Sequence, residues 1–409
     1  MILKVIIESE ERYFLNSYES LNLKLHSLVI FRHLLCDSVL KLLPAVLCYK
    51  EKTNIERLTN HTAFVSELFK HGENLTEYVW SRVLEDENIY VKKRAGNEHI
   101  SDSLELCLKN ELGILEEVSR LSAGDIVKAI DYEGYLAIWQ TGKINFYEQY
   151  IDRMKNINLN GYGIYSKYHM FTVKGSIITP VKAPDPIRLS ALKDYELERE
   201  AVINNTLALL KGKPAANTLL YGDAGTGKSS TVKAIVNEFG DMGLRLIEVT
   251  KKQLTEIPLI MEQLCNNPLK FIIFIDDLSF NSDNEDIGSL KAILEGSASS
   301  RTSNVVIYAT SNRRHLMRET FSDRGNDDIH INETIQEQVS LSERFGLSVI
   351  FSKPDKRQYL KIVHELVREY DIKISEQEID LRAERYALER GGRSPRAARH
   401  FIEYLRSME

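Results

Sequence analysis

Two periods organise the apolar positions of this chain. Up to about residue 160 they recur mainly at steps of three or four, and helices are predicted over 61–71, 76–86, 101–121 and 123–130. The most apolar early stretch, Leu28 to Cys48, aligns Leu28, Phe31, Leu35, Val39, Leu42 and Val46 on one stripe. That spacing predicts a buried amphipathic helix, disturbed in its last turn by Pro44. Arg32, His33, Asp37 and Lys41 interrupt it, so it lacks the run of about 18 apolar residues that a membrane span needs. Next comes Asn160-Gly-Tyr-Gly-Ile-Tyr, and then Phe171 to Thr179, whose central Gly-Ser between β-prone runs predicts a hairpin. Pro180, Pro184 and Pro186 favour extended backbone and mark a linker.

From residue 187 short apolar runs alternate with helical segments: Asn217 to Tyr221, Leu244 to Val249, Phe271 to Ile275, Val305 to Ala309 and Ser348 to Phe351. Such runs predict strands of a parallel sheet buried on both faces, with helices on each side. Beyond Pro354 the pattern is wholly helical. Ser375 and Glu378 have capping-box spacing, and Ser394-Pro395 reads as a helix start with Pro first. The expected organisation is a mainly helical N-terminal domain over 1–160, a hairpin and linker over 161–186, an α/β domain with a five-stranded parallel sheet over 187–353, and a small helical domain over 354–409.

Composition narrows the function classes. With 409 residues, 43% hydrophobic and 27% charged, the chain can bury sizeable cores, which excludes wholesale disorder. Lys and Arg total 53 against 59 Asp and Glu, a net charge of −6, the wrong sign for a protein coated in nucleic-acid-binding surface. A local basic groove is compatible with that balance, but nothing indicates one. Cys36, Cys48, Cys107 and Cys265 lie far apart with no CxxC spacing, as expected of reduced thiols in a cytoplasmic protein. Residues 1–11 carry one Lys and several Glu, unlike the basic start of a signal peptide.

The chemistry-bearing residues follow the strands. Gly222, Asp223, Ala224, Gly225, Thr226, Gly227, Lys228 and Ser229 match G-x-x-x-x-G-K-[ST], after a strand and before the helical run that Ser230 opens. Glycines let backbone N–H groups wrap phosphate oxygens, the helix N-terminus adds a favourable dipole, Lys228 neutralises β and γ charge, and Ser229 can ligate Mg²⁺. Phe271 to Ile275 ends in Asp276-Asp277: the first carboxylate suits Mg²⁺, usually through water, and the second suits polarising an attacking water. Asp277 stands where many related enzymes have Glu, one methylene longer. Val305 to Asn312 exits in Thr310, Ser311 and Asn312, any of which could orient water or the γ-phosphate. Arg344 lies in a turn before the last strand. Arg393, Arg396 and Arg399 open the final helix, where Arg396 sits in the first turn against the dipole. A charged stretch, Asp323 to Glu337, is expected to be mobile.

Taken together, these motifs resemble an AAA+ ATPase: Walker A at Gly222 to Ser229, Walker B at Asp276-Asp277, then a sensor 1 Asn, a box VII Arg and a sensor 2 Arg. Phe-Ile-Asp-Asp-Leu-Ser-Phe, Tyr-Ala-Thr-Ser-Asn-Arg-Arg-His-Leu and Leu-Ser-Glu-Arg-Phe-Gly-Leu resemble, more closely, a family of predicted bacterial AAA+ ATPases, over roughly residues 160 to 409. The resemblance implies Asn312 as sensor 1, Arg344 as arginine finger and Arg396 as sensor 2, with Arg393 as the alternative. It also implies that Ile187 to Tyr195 packs on adenine. No guanine signature is present, because Thr250-Lys-Lys-Gln253 lacks the Asp. The expected activity is Mg²⁺-dependent ATP hydrolysis in a homo-oligomer with shared sites, driving conformational change in a protein client. Two alternatives stand beside it. The Asp-Asp Walker B is similar to that of replication initiators and helicase loaders, which would make the ATPase DNA-associated. The shorter Asp277 would also suit an ATP-binding switch with negligible turnover.

Overall fold

A computed structural model describes residues 18–48, 52–278, 285–295, 303–312 and 343–408. Asp323 to Glu337, the sequence start and part of the segment before Arg344 lie outside them. The chain divides into two compact units, one ending at Lys167 and the other beginning at Tyr168.

In the first unit the main helices are α1 (Asn54–Phe69), α2 (Leu75–Glu85), α3 (Asp102–Ser119) and α4 (Phe146–Lys155). Each starts where a short polar side chain takes an otherwise unpaired amide of the first turn: Thr53, Asn74, Ser101 and Asn145 accept from the backbone N–H three residues on. Their apolar faces share one core that includes Phe64, Leu68, Val79, Leu112 and Phe146, all fully buried.

Leu28 to Cys48 is not the single amphipathic helix that its periodicity predicts. It breaks into 3₁₀ turns at Arg32–Cys36 and Leu40–Leu42 and a short helix at Leu43–Leu47. Two carboxylates supply the reason by offering backbone amides better partners than a helix would. Glu111, on α3, accepts from the N–H groups of Val29 (2.8 Å), Ile30 (3.1 Å) and Phe31 (3.0 Å). Asp37 accepts from those of Val39 and Leu40, both at 3.0 Å, and Pro44 can only open the helix that follows.

The second unit is built on a sheet of β1 (Met170–Lys174), β2 (Ile177–Pro180), β3 (Thr218–Gly222), β4 (Leu244–Val249), β5 (Lys270–Ile275), β6 (Val305–Ser311) and β7 (Leu347–Phe351). The strand order is β2-β1-β4-β5-β6-β3-β7. Strands β3 to β7 are mutually parallel, as expected, yet the sheet has seven strands rather than five. The expected linker hairpin joins it: β1 pairs parallel with β4 and antiparallel with β2, through a turn in which Gly175 and Ser176 both take positive φ. An edge of β4 left open would expose unpaired amides, and the hairpin covers it. Phe271 to Ile275 of β5 are fully buried between β4 and β6, which explains their unbroken apolar run.

Helices α5 (Glu196–Leu210), α6 (Lys228–Phe239) and α7 (Ile257–Leu264) belong to this unit, and α8 (Lys356–Glu369), α9 (Glu376–Glu389) and α10 (Pro395–Arg406) follow the last strand. These last three pack on one another around Tyr359, Ile362, Val363, Ala383, Ala398, Phe401 and Ile402. Ser394 caps α10 by accepting from Ala397 N–H at 3.1 Å, with Pro395 in the first turn. Ser375 makes no such bond at the start of α9, and Glu378 turns its carboxylate to Arg382 one turn on.

Candidate nucleotide-binding site

The strand order sets the site. β3 ends in the Gly-rich loop, β6 lies beside it, and β5 lies beyond β6, so the exits of all three open on one edge of the sheet. At about 4.8 Å per strand, Asp276 at the end of β5 is roughly 10 Å from the end of β3. The first turn of α6 spans that gap: Ser229 Oγ donates to Asp276 Oδ1 at 2.6 Å.

The loop needs its glycines. Gly222, Gly225 and Gly227 have φ of 128°, 77° and 95°, in the region that L side chains rarely adopt. A Cβ on Gly222 would stand 2.3 Å from the Phe351 carbonyl oxygen of β7. Asp223 ties the loop to the chain after β7, its N–H donating to Phe351 O at 3.0 Å and its carboxylate accepting from Lys353 N–H at 2.8 Å.

Lys228 is 5% exposed, and its ammonium donates to Gly222 O (3.1 Å), Asp223 O (2.7 Å) and Asn312 Oδ1 (3.1 Å). Burial lowers its pKa, opposed by the nearby carboxylates of Asp223, Asp277 and Asp276. Asn312 makes a second bond through the other end of its amide, with Nδ2 donating to Asp277 Oδ1 at 2.8 Å. Asp277 itself has a left-handed φ of 54°, and its N–H donates to Thr310 Oγ1 at 2.9 Å. Thr310 Oγ donates in turn to Asp276 Oδ1 at 2.6 Å. At the β6 exit Asn312 thus engages Lys228 and Asp277, and Thr310 engages the Asp-Asp pair.

These groups line one cavity of about 440 Å³. Its lining includes Ala224 to Ser230, Asp276, Asp277, Asn312 and Arg396, together with Ile187, Ala191, Leu192 and Lys193. Arg396 sits close over the loop, its N–H donating to Gly225 O at 3.2 Å. Arg393 is held elsewhere, in a two-pronged pair with Glu384 at 2.8 and 2.7 Å. Arg344 is outside the lining: it precedes Leu347, which pairs with Thr218 at the start of β3, whereas the phosphate loop leaves the other end of that strand. The sequence reading missed Arg199, a buried residue of α5 that faces this cavity. Nothing in its local spacing marks it.

A family model described as "Protein of unknown function (DUF815)" matches residues 166–409. The chain belongs to the DUF815 family. Its β3–β7 order, phosphate loop, Asp-Asp exit and three trailing helices make the second unit of this DUF815 chain an AAA+ P-loop ATPase fold. Among solved structures, the Thermotoga maritima RuvB Holliday junction branch migration motor is 16% identical, with a TM-score of 0.36 over 55% of this chain. The chain spans 65% of that motor's length. A Walker-type ATPase of Pyrococcus abyssi is 17% identical, with a TM-score of 0.35, covering 56% of this chain and 72% of its own. Likeness of this degree bears on neither activity nor partner. No curated protein matches the DUF815 chain. No helix among the described residues is long and apolar enough to cross a membrane.

Proposed function

We propose that the second unit binds ATP with Mg²⁺ in the 440 Å³ cavity and hydrolyses the β–γ phosphoanhydride. One observation carries this reading: Lys228, Ser229, Asp276, Asp277, Asn312 and Arg396, brought from separate loops, face a single cavity behind a Gly-rich helix N-terminus. Phosphates fit there because amides of the loop and of the first turn of α6 point outward and Lys228 supplies a compact cation. Adenine is assigned to the lining formed by Ile187, Ala191 and Leu192, on the family resemblance of that segment.

Ser229 and Asp276 fit Mg²⁺ by donor type: two hard oxygens already 2.6 Å apart. Among the described residues no three His, Cys, Asp or Glu side chains cluster into a self-sufficient metal site, so phosphate oxygens and water would complete the shell. When bound, the ion would neutralise charge on the β and γ oxygens. Asp277 accepts the proton of the attacking water, and Asn312 holds that carboxylate through Nδ2 while its Oδ1 faces the Lys228 ammonium. Arg396 meets the phosphates from the start of α10. Arg344, far from its own phosphate loop, completes the site of a neighbouring subunit in a homo-oligomer. Hydrolysis then moves the three C-terminal helices against the sheet and acts on a protein client.

The test is turnover with binding measured separately. Lys228→Ala abolishes ATP binding, while Asp277→Asn binds ATP and does not turn it over. Equal ATPase rates for Asp277→Asn and the native chain remove Asp277 from its role.

A further inference from the structure

The cavity contains a cation that the phosphate chemistry does not use. Arg199 is only 9% exposed, yet it lines the cavity and its guanidinium makes no hydrogen bond or ion pair with any described residue. A buried guanidinium carries five donors, and leaving them unpaired is costly, so side chains of this kind normally find acceptors. Burial lowers its pKa, opposed by the more distant charges of Glu196, Asp194, Glu198 and Glu365. The acceptor that such a group lacks within the protein is one that a ligand can bring.

Its position tells which part of the ligand. Arg199 shares the cavity lining with Ala191, Leu192 and Lys193 and with Ile362 and Leu366 of α8, and the charges that act on it, Glu196, Asp194, Glu198 and Glu365, belong to the 194–198 segment and to α8 rather than to the Gly-rich loop. The turn that places it is built with some strain. Asp194 and Tyr195 both take left-handed φ, 58° and 60°, which costs non-glycine residues energy. Tyr195 is pinned by its hydroxyl, which donates to Ser352 O at 2.6 Å, and by stacking on Phe351 at 5.5 Å. Asp194 faces Lys361 of α8 at 3.5 Å. The first turn of α5 is thereby fixed against both the end of β7 and α8, and Arg199 N–H closes that turn on Tyr195 O at 3.0 Å.

We infer that Arg199 is a base-reading residue, donating to acceptor atoms on the nucleobase of the bound nucleotide. This deepens the nucleotide-binding reading and rests on it. A guanidinium suits the task because it stays charged and its several N–H groups can reach a ring-nitrogen acceptor of adenine, whose exocyclic amino group is itself a donor.

The experiment measures, by calorimetry on the full chain, the affinity of ATP and of inorganic tripolyphosphate, which keeps the phosphates and has no base. Arg199→Met retains the aliphatic stem and removes the donors. Loss of a hydrogen bond from a charged donor weakens ATP by about 10- to 100-fold and leaves tripolyphosphate unchanged. Arg199→Lys keeps the charge without the fork and falls between native and Met, which also serves should the Met variant fold poorly. An equal loss for both ligands, or no loss for ATP, overturns the assignment while leaving the nucleotide site standing. Failure of the native chain to bind either ligand removes that site, and this inference with it.

Discussion

Replacing Gly222 by Ala tests the most constrained point of the phosphate loop. The new Cβ would stand 2.3 Å from Phe351 O, 2.8 Å from its carbonyl carbon and 3.0 Å from its nitrogen, all backbone atoms that no rotamer change can move. It would also have to hold φ near 128°. Gly222 pairs with Phe351 in the β3–β7 ladder, and Asp223 N–H bonds the same carbonyl, so relief requires shifting β7 and losing that bond. Strain at a forbidden φ costs about 1–3 kcal/mol, and forced backbone displacement costs a similar amount, giving roughly 2–6 kcal/mol together. Gly227 is the control: its φ is 95°, but a Cβ there meets nothing within 4 Å. Gly227→Ala therefore bears only the conformational term, about 1–3 kcal/mol. For a unit of this size each kcal/mol shifts Tm by about 2–4 °C, which gives roughly 4–24 °C for Gly222→Ala and about 2–12 °C for Gly227→Ala, the former always the larger because it carries the extra steric term. Scanning calorimetry of the full chain reads both, following the transition that rises when ATP is added to the native protein. A Gly222→Ala Tm within about 2 °C of native, or a larger drop for Gly227→Ala, would refute the steric argument.

Two further outcomes follow from the site. Arg396→Ala weakens discrimination between ATP and ADP in a nucleotide competition assay and leaves ADP affinity nearly unchanged, whereas Arg393→Ala, which removes the pair with Glu384 and leaves Glu384 facing Lys356, does not; the reverse pattern would exchange their roles. Arg344→Ala binds ATP normally and hydrolyses it about 10³- to 10⁵-fold more slowly. Mixing it with Lys228→Ala subunits restores activity if each site is shared between copies, and mixed oligomers of verified mass that stay inactive make Arg344 structural.

What the sequence by itself determined is the part of the protein whose causes are local. The Gly-rich loop is legible because only glycine adopts the φ of 128°, 77° and 95° found at Gly222, Gly225 and Gly227. β5 is legible because a strand covered on both faces needs the unbroken apolar run Phe271 to Ile275. Helix starts at Ser101 and Ser394 are legible because the capping side chain sits three residues from the amide that it satisfies, whereas the helix predicted over 61–71 in fact starts at Asn54, capped by Thr53. The tertiary structure decided whatever depends on partners distant in the chain. The periodicity of Leu28 to Cys48 promised one helix, but Glu111, some 80 residues on, takes three of its amides. The spacing of β1 and β2 predicted a hairpin, but only the free edge of β4 made it part of the sheet. The exits of β5 and β6 must stand side by side before Thr310 is seen to reach Asp276 and Asn312 to reach Asp277. Arg393 and Arg396 are equivalent on the page until Glu384, on the neighbouring helix, captures one and leaves the other against the phosphate loop. For Arg199 the sequence had nothing to offer, because a buried charge without a partner exists only once β7 and α8 have closed around it.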